Sequence, residues 1–218
     1  MKYVTLLGTL VFVIASGCST SYLTTSWKAE NVAAKPYKKI MILGLIGDPD
    51  RRVRENMEEH MAGDLKDLGY NTVTSVGEYG PKAFENMKEE EAVKNLYDKG
   101  IDAVVTVVLL NKTKERYYIP ARVRYSPYVI YHNDFWGYFS TMYGRVSSKD
   151  YYEVNTKYFW ETNLYDLTNK ALVYSAQSQS YDPESSHRLG HEYGLMIVKD
   201  MVKKSILQKQ TALPLKSF

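Results

Sequence analysis

The stretch Ile101 to Leu110 (IDAVVTVVLL) is β-branched, apolar at nearly every position and follows a glycine. A strand with both faces apolar must be covered on both sides, which points to the middle of a sheet flanked by helices. Lys39 to Ile46 (KIMILGLI) has the same character. Between the two, Val53, Met57, Met61, Leu65 and Leu68 recur at spacings of four, four, four and three. That spacing lays one apolar stripe along a helix, with Arg51, Arg52, Glu55, Glu58, Glu59 and Lys66 assigned to the wet side. Asp48 is placed to cap this helix, with Pro49 at its first position. Gly69 is placed to end it in the left-handed conformation. Asn71 to Ser75 reads as a second strand. Residues 81–98 read as helix, interrupted near Lys88 to Glu91 and stopped at Gly100.

The order β-α-β-α-β predicts an α/β fold with parallel strands joined by crossovers. Residues 154–167 and 171–181 then read as two long strands joined by Thr168-Asn169-Lys170, a hairpin that makes the sheet mixed. Asp182-Pro183 is read as opening a last helix, with Leu189, Tyr193, Ile197 and Met201 down one side. The expected architecture is a βαβαβ module in two or three layers, with a C-terminal hairpin and helix and a Tyr-rich insertion. Its domain spans 38–208 with the insertion at 117–153, and 209–218 form a tail.

Ahead of the domain stand a lysine at position 2, an apolar stretch from Val4 to Ile14, and Ala15-Ser16-Gly17-Cys18, which holds the chain's single cysteine. The stretch is shorter than the roughly 20 apolar residues a spanning helix needs, and has the length of a signal-peptide core. The run resembles the lipobox of bacterial lipoproteins, with Ala15 where that class usually has leucine. The resemblance implies removal of residues 1–17 and acylation of Cys18, so that the lipid bilayer is the first partner. Two or more acyl chains anchor stably where one does not. Ser rather than Asp at position 19 implies transfer to the outer membrane. With no acidic cluster after Cys18, a periplasm-facing position is expected. Residues 18–37 are read as a lipidated tether, from which Trp27 could dock on the domain.

Composition narrows the rest. A formal net charge of +3 argues against nucleic acid. An apolar fraction of 44% and a charged fraction of 24% are those of a folded domain. One cysteine allows no disulfide within the chain.

The Leu68-Gly69-Tyr70 helix end, the Gly100 to Val105 start of the third strand and the Leu164 to Asn169 hairpin give a layout similar to three families. These are the curli secretion-channel lipoproteins, the lipoprotein activators of penicillin-binding proteins and the TolB amino-terminal domain. The resemblance covers roughly 38–207 and implies a binding or pore-forming role, not an enzyme.

Tyrosine is the compositional outlier, with 20 of 218 residues, ten of them between 117 and 160. Tyr and Trp join an apolar body to a polar tip, which suits half-wet surfaces and binding hot spots. Tyr125, Tyr128, Tyr131, Phe135, Trp136, Tyr138 and Tyr143 are therefore the candidate contact residues for a cell-envelope protein or glycan. Two other readings stand beside this one: a loop folded onto the sheet as extra core, and a membrane-touching hairpin. The last would fit a homo-oligomeric export channel.

Signals for catalysis are sparse, and no cofactor or metal is expected. His187 and His191 are four apart, as on zinc-binding helices, but the glutamate of His-Glu-x-x-His is missing between them. A metal-dependent hydrolase would need a third ligand, such as Asp182 or His132. The Gly44 to Pro49 turn lacks the spacing of a phosphate loop, and no serine sits in Gly-x-Ser-x-Gly.

Overall fold

The structure is a computed structural model, and it describes residues 20–115, 134–139 and 155–210. Six strands form one mixed sheet in the order β1-β6-β5-β4-β2-β3. They are β1 (Ser21–Lys28), β2 (Ile40–Leu45), β3 (Thr72–Thr74), β4 (Ala103–Glu115), β5 (Asn155–Asp166) and β6 (Ala171–Tyr181). β2 runs parallel to β3 and β4, whereas β4-β5, β5-β6 and β6-β1 are antiparallel. The helices are α1 (Arg51–Asp67), α2 (Ser75–Tyr79), α3 (Glu89–Asp98), α4 (135–139) and α5 (Ser186–Lys203).

The pleat explains the layering. Ile40 and Ile42 of β2, and Ala103, Val105 and Val107 of β4, point to one face. There they meet Val53, Met57, Met61 and Leu65 of α1 and Leu189, Tyr193, Ile197 and Met201 of α5. Met41, Leu43 and Leu45 of β2, with Val104 and Val108 of β4, point to the other face. They meet Ala92 and Leu96 of α3, Phe84, and Phe135, Tyr138 and Phe139 of α4. The architecture is therefore three-layered, with both central strands buried on both faces as their sequences require.

Several local expectations need revision. Residues 21–28, read as part of the tether, are an edge strand paired along β6, and Trp27 packs on the second core from within it. Asp48 does not cap α1. It opens a 3-10 turn, Asp48–Asp50, and the N-cap position of α1 falls to Asp50, which makes no side-chain cap bond. Of the stretch 81–98 only Glu89–Asp98 is helix, starting inside the expected interruption near Lys88 to Glu91; α2 ends at Tyr79 with Gly80 as its C-cap, and Phe84 and Asn86 adopt positive φ in the turns between. Ser185, not Asp182-Pro183, caps α5, its Oγ accepting from Arg188 N–H. Gly69 and Gly100 take the expected left-handed stops, at φ 93° and 71°. The start of the tail is held, since Gln210 N–H donates to Leu68 O at 2.7 Å.

Candidate functional site

Strand direction decides what gathers at each end of the sheet. The carboxyl ends of β2, β4 and β6 share one end with the starts of β1 and β5, because Ser21 pairs with Ser180 and Lys157 with Tyr181. β4 leaves the described residues at Glu115 and β5 returns at Asn155, a directly paired couple. Glu115 and Asn155, which flank the Tyr-rich insertion, therefore lie at the same end of the sheet as the start of β1, with β6 between.

The first described residue, Thr20, is held at this end. Its N–H and Oγ1 donate to Glu192 Oε2 at 2.7 and 2.9 Å, and its carbonyl accepts from Tyr181 N–H at 2.7 Å. Arg188 Nε donates to the other Glu192 oxygen at 2.8 Å. Burial acts to raise the Glu192 pKa, but the hydrogen bonds from Arg188 and Thr20 outweigh it and hold the carboxyl below its ordinary value. Next to Thr20, Tyr22 is half exposed and donates to Gln179 Oε1. The Lys157 ammonium lies 5.7 Å from the centroid of the Tyr181 ring.

Behind this end, on the α3/α4 face, lies a buried polar network. Glu161 on β5 is bonded by Tyr138 Oη, by Asn163 Nδ2 at 3.1 Å and by Gln177 Nε2 at 3.4 Å. Asn163 in turn accepts from Ser175 Oγ. A buried carboxylate with several donors orders the side chains around it. Of the candidate contact residues, Phe135 and Tyr138 lie inside the protein, at 2% and 0% exposure. Trp136 is half-buried and stacked on Phe139, with centroids 5.2 Å apart. So α4 supplies core, as in the reading of a loop folded onto the sheet. Cys18, Tyr125, Tyr128, Tyr131 and Tyr143 lie outside the described residues.

The two helices of the opposite face bring three imidazoles together. His60 of α1 lies against His187 and His191 of α5, with ring centroids 4.4 and 5.5 Å away. The side chain brought beside the two histidines is His60 of α1, a pairing invisible in sequence because it spans the domain, and not Asp182; His132 lies outside the described residues. One turn on from His60, Asp64 faces Gly194, and its Oδ2 is buried without a hydrogen-bond partner. Burial pushes the Asp64 pKa up to about 6, against the pull of His191. Burial, then His187 and His191, push His60 down. Among the described residues, no group of three or more His, Cys, Asp or Glu side chains is arranged to hold a metal ion.

A second buried carboxylate escaped the sequence reading. Glu58, assigned to the wet side of α1, is fully buried and accepts from Gly44 N–H, Ser75 Oγ and Val76 N–H at 2.9, 2.6 and 3.0 Å. The signal available was the glycine in the middle of β2. A Cβ on Gly44 would lie 2.6 Å from Arg54 Cγ and 3.1 Å from Glu58 Oε1, so only glycine leaves room for this pair.

No protein-family model matches the chain, and no curated protein matches it. Among solved structures it is similar to PelC from Paraburkholderia phytofirmans, solved as a dodecamer. The identity is 11%, covering 88% of this chain and 99% of that one, with a TM-score of 0.45. It is also similar to lipoprotein GNA1162 from Neisseria meningitidis, at 15% identity over 76% of this chain and 99% of that one, with a TM-score of 0.39. These are likenesses of chain layout alone. Among the described residues, no helix is long and apolar enough to cross a membrane.

Proposed function

We propose that this chain is a lipid-anchored lipoprotein of the bacterial outer membrane. Its periplasmic α/β domain would bind or assemble with a cell-envelope protein or glycan and perform no catalysis of its own. The observation that carries the reading is Ala15-Ser16-Gly17-Cys18 behind a short apolar core. A lone cysteine in a secreted chain needs an explanation, and acylation supplies one. Replacing Cys18 with Ser tests the anchor: the variant should lose incorporation of labelled fatty acid, and undiminished incorporation contradicts the reading.

The partner surface is assigned to the insertion tyrosines Tyr125, Tyr128, Tyr131 and Tyr143, with Trp136 at its edge. Phe135 and Tyr138 serve as the packing that holds α4 on the sheet. Replacing the four tyrosines together with serine should abolish in-cell cross-linking of the partner while leaving the melting temperature of the domain unchanged. Undiminished cross-linking removes the aromatic-surface version.

A further inference from the structure

With Cys18 as the lipid anchor, only Ser19 separates it from Thr20. A trans chain advances at most about 3.6 Å per residue, so the acylated Cα lies within roughly 7 Å of the Thr20 Cα. Thr20 is not on a leash. It is bound through its N–H and Oγ1 to Glu192 and through its carbonyl to Tyr181 N–H, and the next residue enters the β1-β6 ladder. The lipid is therefore attached almost directly to a rigid sheet, and the end of that sheet must meet the bilayer.

The side chains at this end fit such a position. Four large apolar side chains stand out as exposed among the described residues. Two of them, Tyr22 at 50% and Tyr181 at 40%, flank Thr20 on adjacent strands, and the other two, Tyr97 and Val202, are on separate helices. Tyrosine concentrates at membrane–water interfaces because its ring and hydroxyl prefer different sides of the boundary. Lys157, beside the Tyr181 ring, has a long apolar stem that lets its charge stay at headgroup level. Asp182 and Glu184, exposed close by, set the depth by keeping this end among headgroups rather than acyl chains.

We infer that the sheet end formed by Thr20, Tyr22, Lys157 and Tyr181 lies in the headgroup layer of the anchoring membrane, with the strands standing steeply on the bilayer. The inference rests on the lipid-anchor reading and adds a fixed orientation to it. The Thr168–Lys170 turn is the far end, because β6 has eleven residues and so extends about 35 Å. Glu115 and Asn155 put both ends of the Tyr-rich insertion on the membrane side.

The test uses the full-length lipoprotein in vesicles of phosphatidylethanolamine and phosphatidylglycerol. Acylation consumes the Cys18 thiol, so an added cysteine is the single labelling site. A bimane label is placed at Asn111→Cys on β4, level with Tyr22 across the sheet, at Thr24→Cys on β1, and at Asn169→Cys in the far turn. All three positions are exposed, so the fold tolerates them. Nitroxide-bearing lipids should quench the first two labels at least about twofold more than the third, given the span between the ends. Equal quenching, or stronger quenching at Asn169→Cys, overturns the orientation. An intact mass without acyl groups on Cys18 overturns the anchor and the orientation together, so the two failures are distinguishable.

Discussion

Glycines 190 and 194 decide how closely α1 and α5 approach. A Cβ on Gly190 would stand 2.7 Å from the backbone oxygen of Asn56, which cannot move away without shifting α1. On Gly194 it would meet Asp64 Oδ2 at 2.5 Å, the end of a side chain that can turn aside. Gly190→Ala should therefore lose about 1–3 kcal/mol by overpacking, and Gly194→Ala clearly less, as read from urea midpoints. Glu58 gives a second case. Burial pushes its pKa up, yet three donors converge on it from β2 and the start of α2. Glu58→Gln keeps the volume but turns a donor toward one of those donors. It should cost about 1–3 kcal/mol through the unmet bond, again measured by urea unfolding. Neither Glu58 nor Glu161 was legible as a buried group, since a carboxylate in a chain of alternating charges looks solvated until its distant donors are in place.

At the scale of elements, legibility followed the apolar pattern. β2, β4, α1 and the β5-β6 hairpin each carry enough apolar residues at one period to name themselves. β1 does not. Its sequence, SYLTTSWK, packs only Leu23 and Trp27 against the cores and leaves Tyr22 exposed, and it exists because β6 presents an unpaired edge. α4 was hidden for a related reason: aromatics in an insertion look like a surface until the sheet face they cover is known. The α1-α5 seam also predicts a pH response with two opposite parts. His60 is held below its ordinary pKa, so its contribution is complete above the unfolded value near 6.5 and is lost as the pH falls through the acid side. Asp64 is held up at about 6, so its ionisation costs stability as the pH rises through that value, and the penalty disappears below the unfolded carboxylate range. Asp64→Asn should thus gain about 1 kcal/mol over wild type at pH 8, once solvent screening of a half-buried group is allowed for. That gain should vanish by pH 4. Paired urea titrations at the two pH values check it, and a gain that grows toward acid contradicts the sign.

The described residues form one sheet with two separate cores, one under α1 and α5 and one under α3 and α4, and Thr20 is clamped at the start of β1. With Cys18 as the proposed lipid anchor, that clamp ties the anchor to the fold. Breaking the Thr20 clamp with Glu192→Ala should leave the protein on the membrane but let the Asn111→Cys label lose its preferential quenching. Unchanged quenching in that variant would show that the clamp does not set the orientation. Everything at this scale depends on Cys18. The most direct measurement is the mass of the N-terminal peptide from protein purified out of native membranes. The account predicts a peptide that begins at Cys18 and carries a diacylglyceryl group with an amide-linked acyl chain. A peptide that begins elsewhere, or one with an unmodified Cys18, contradicts it.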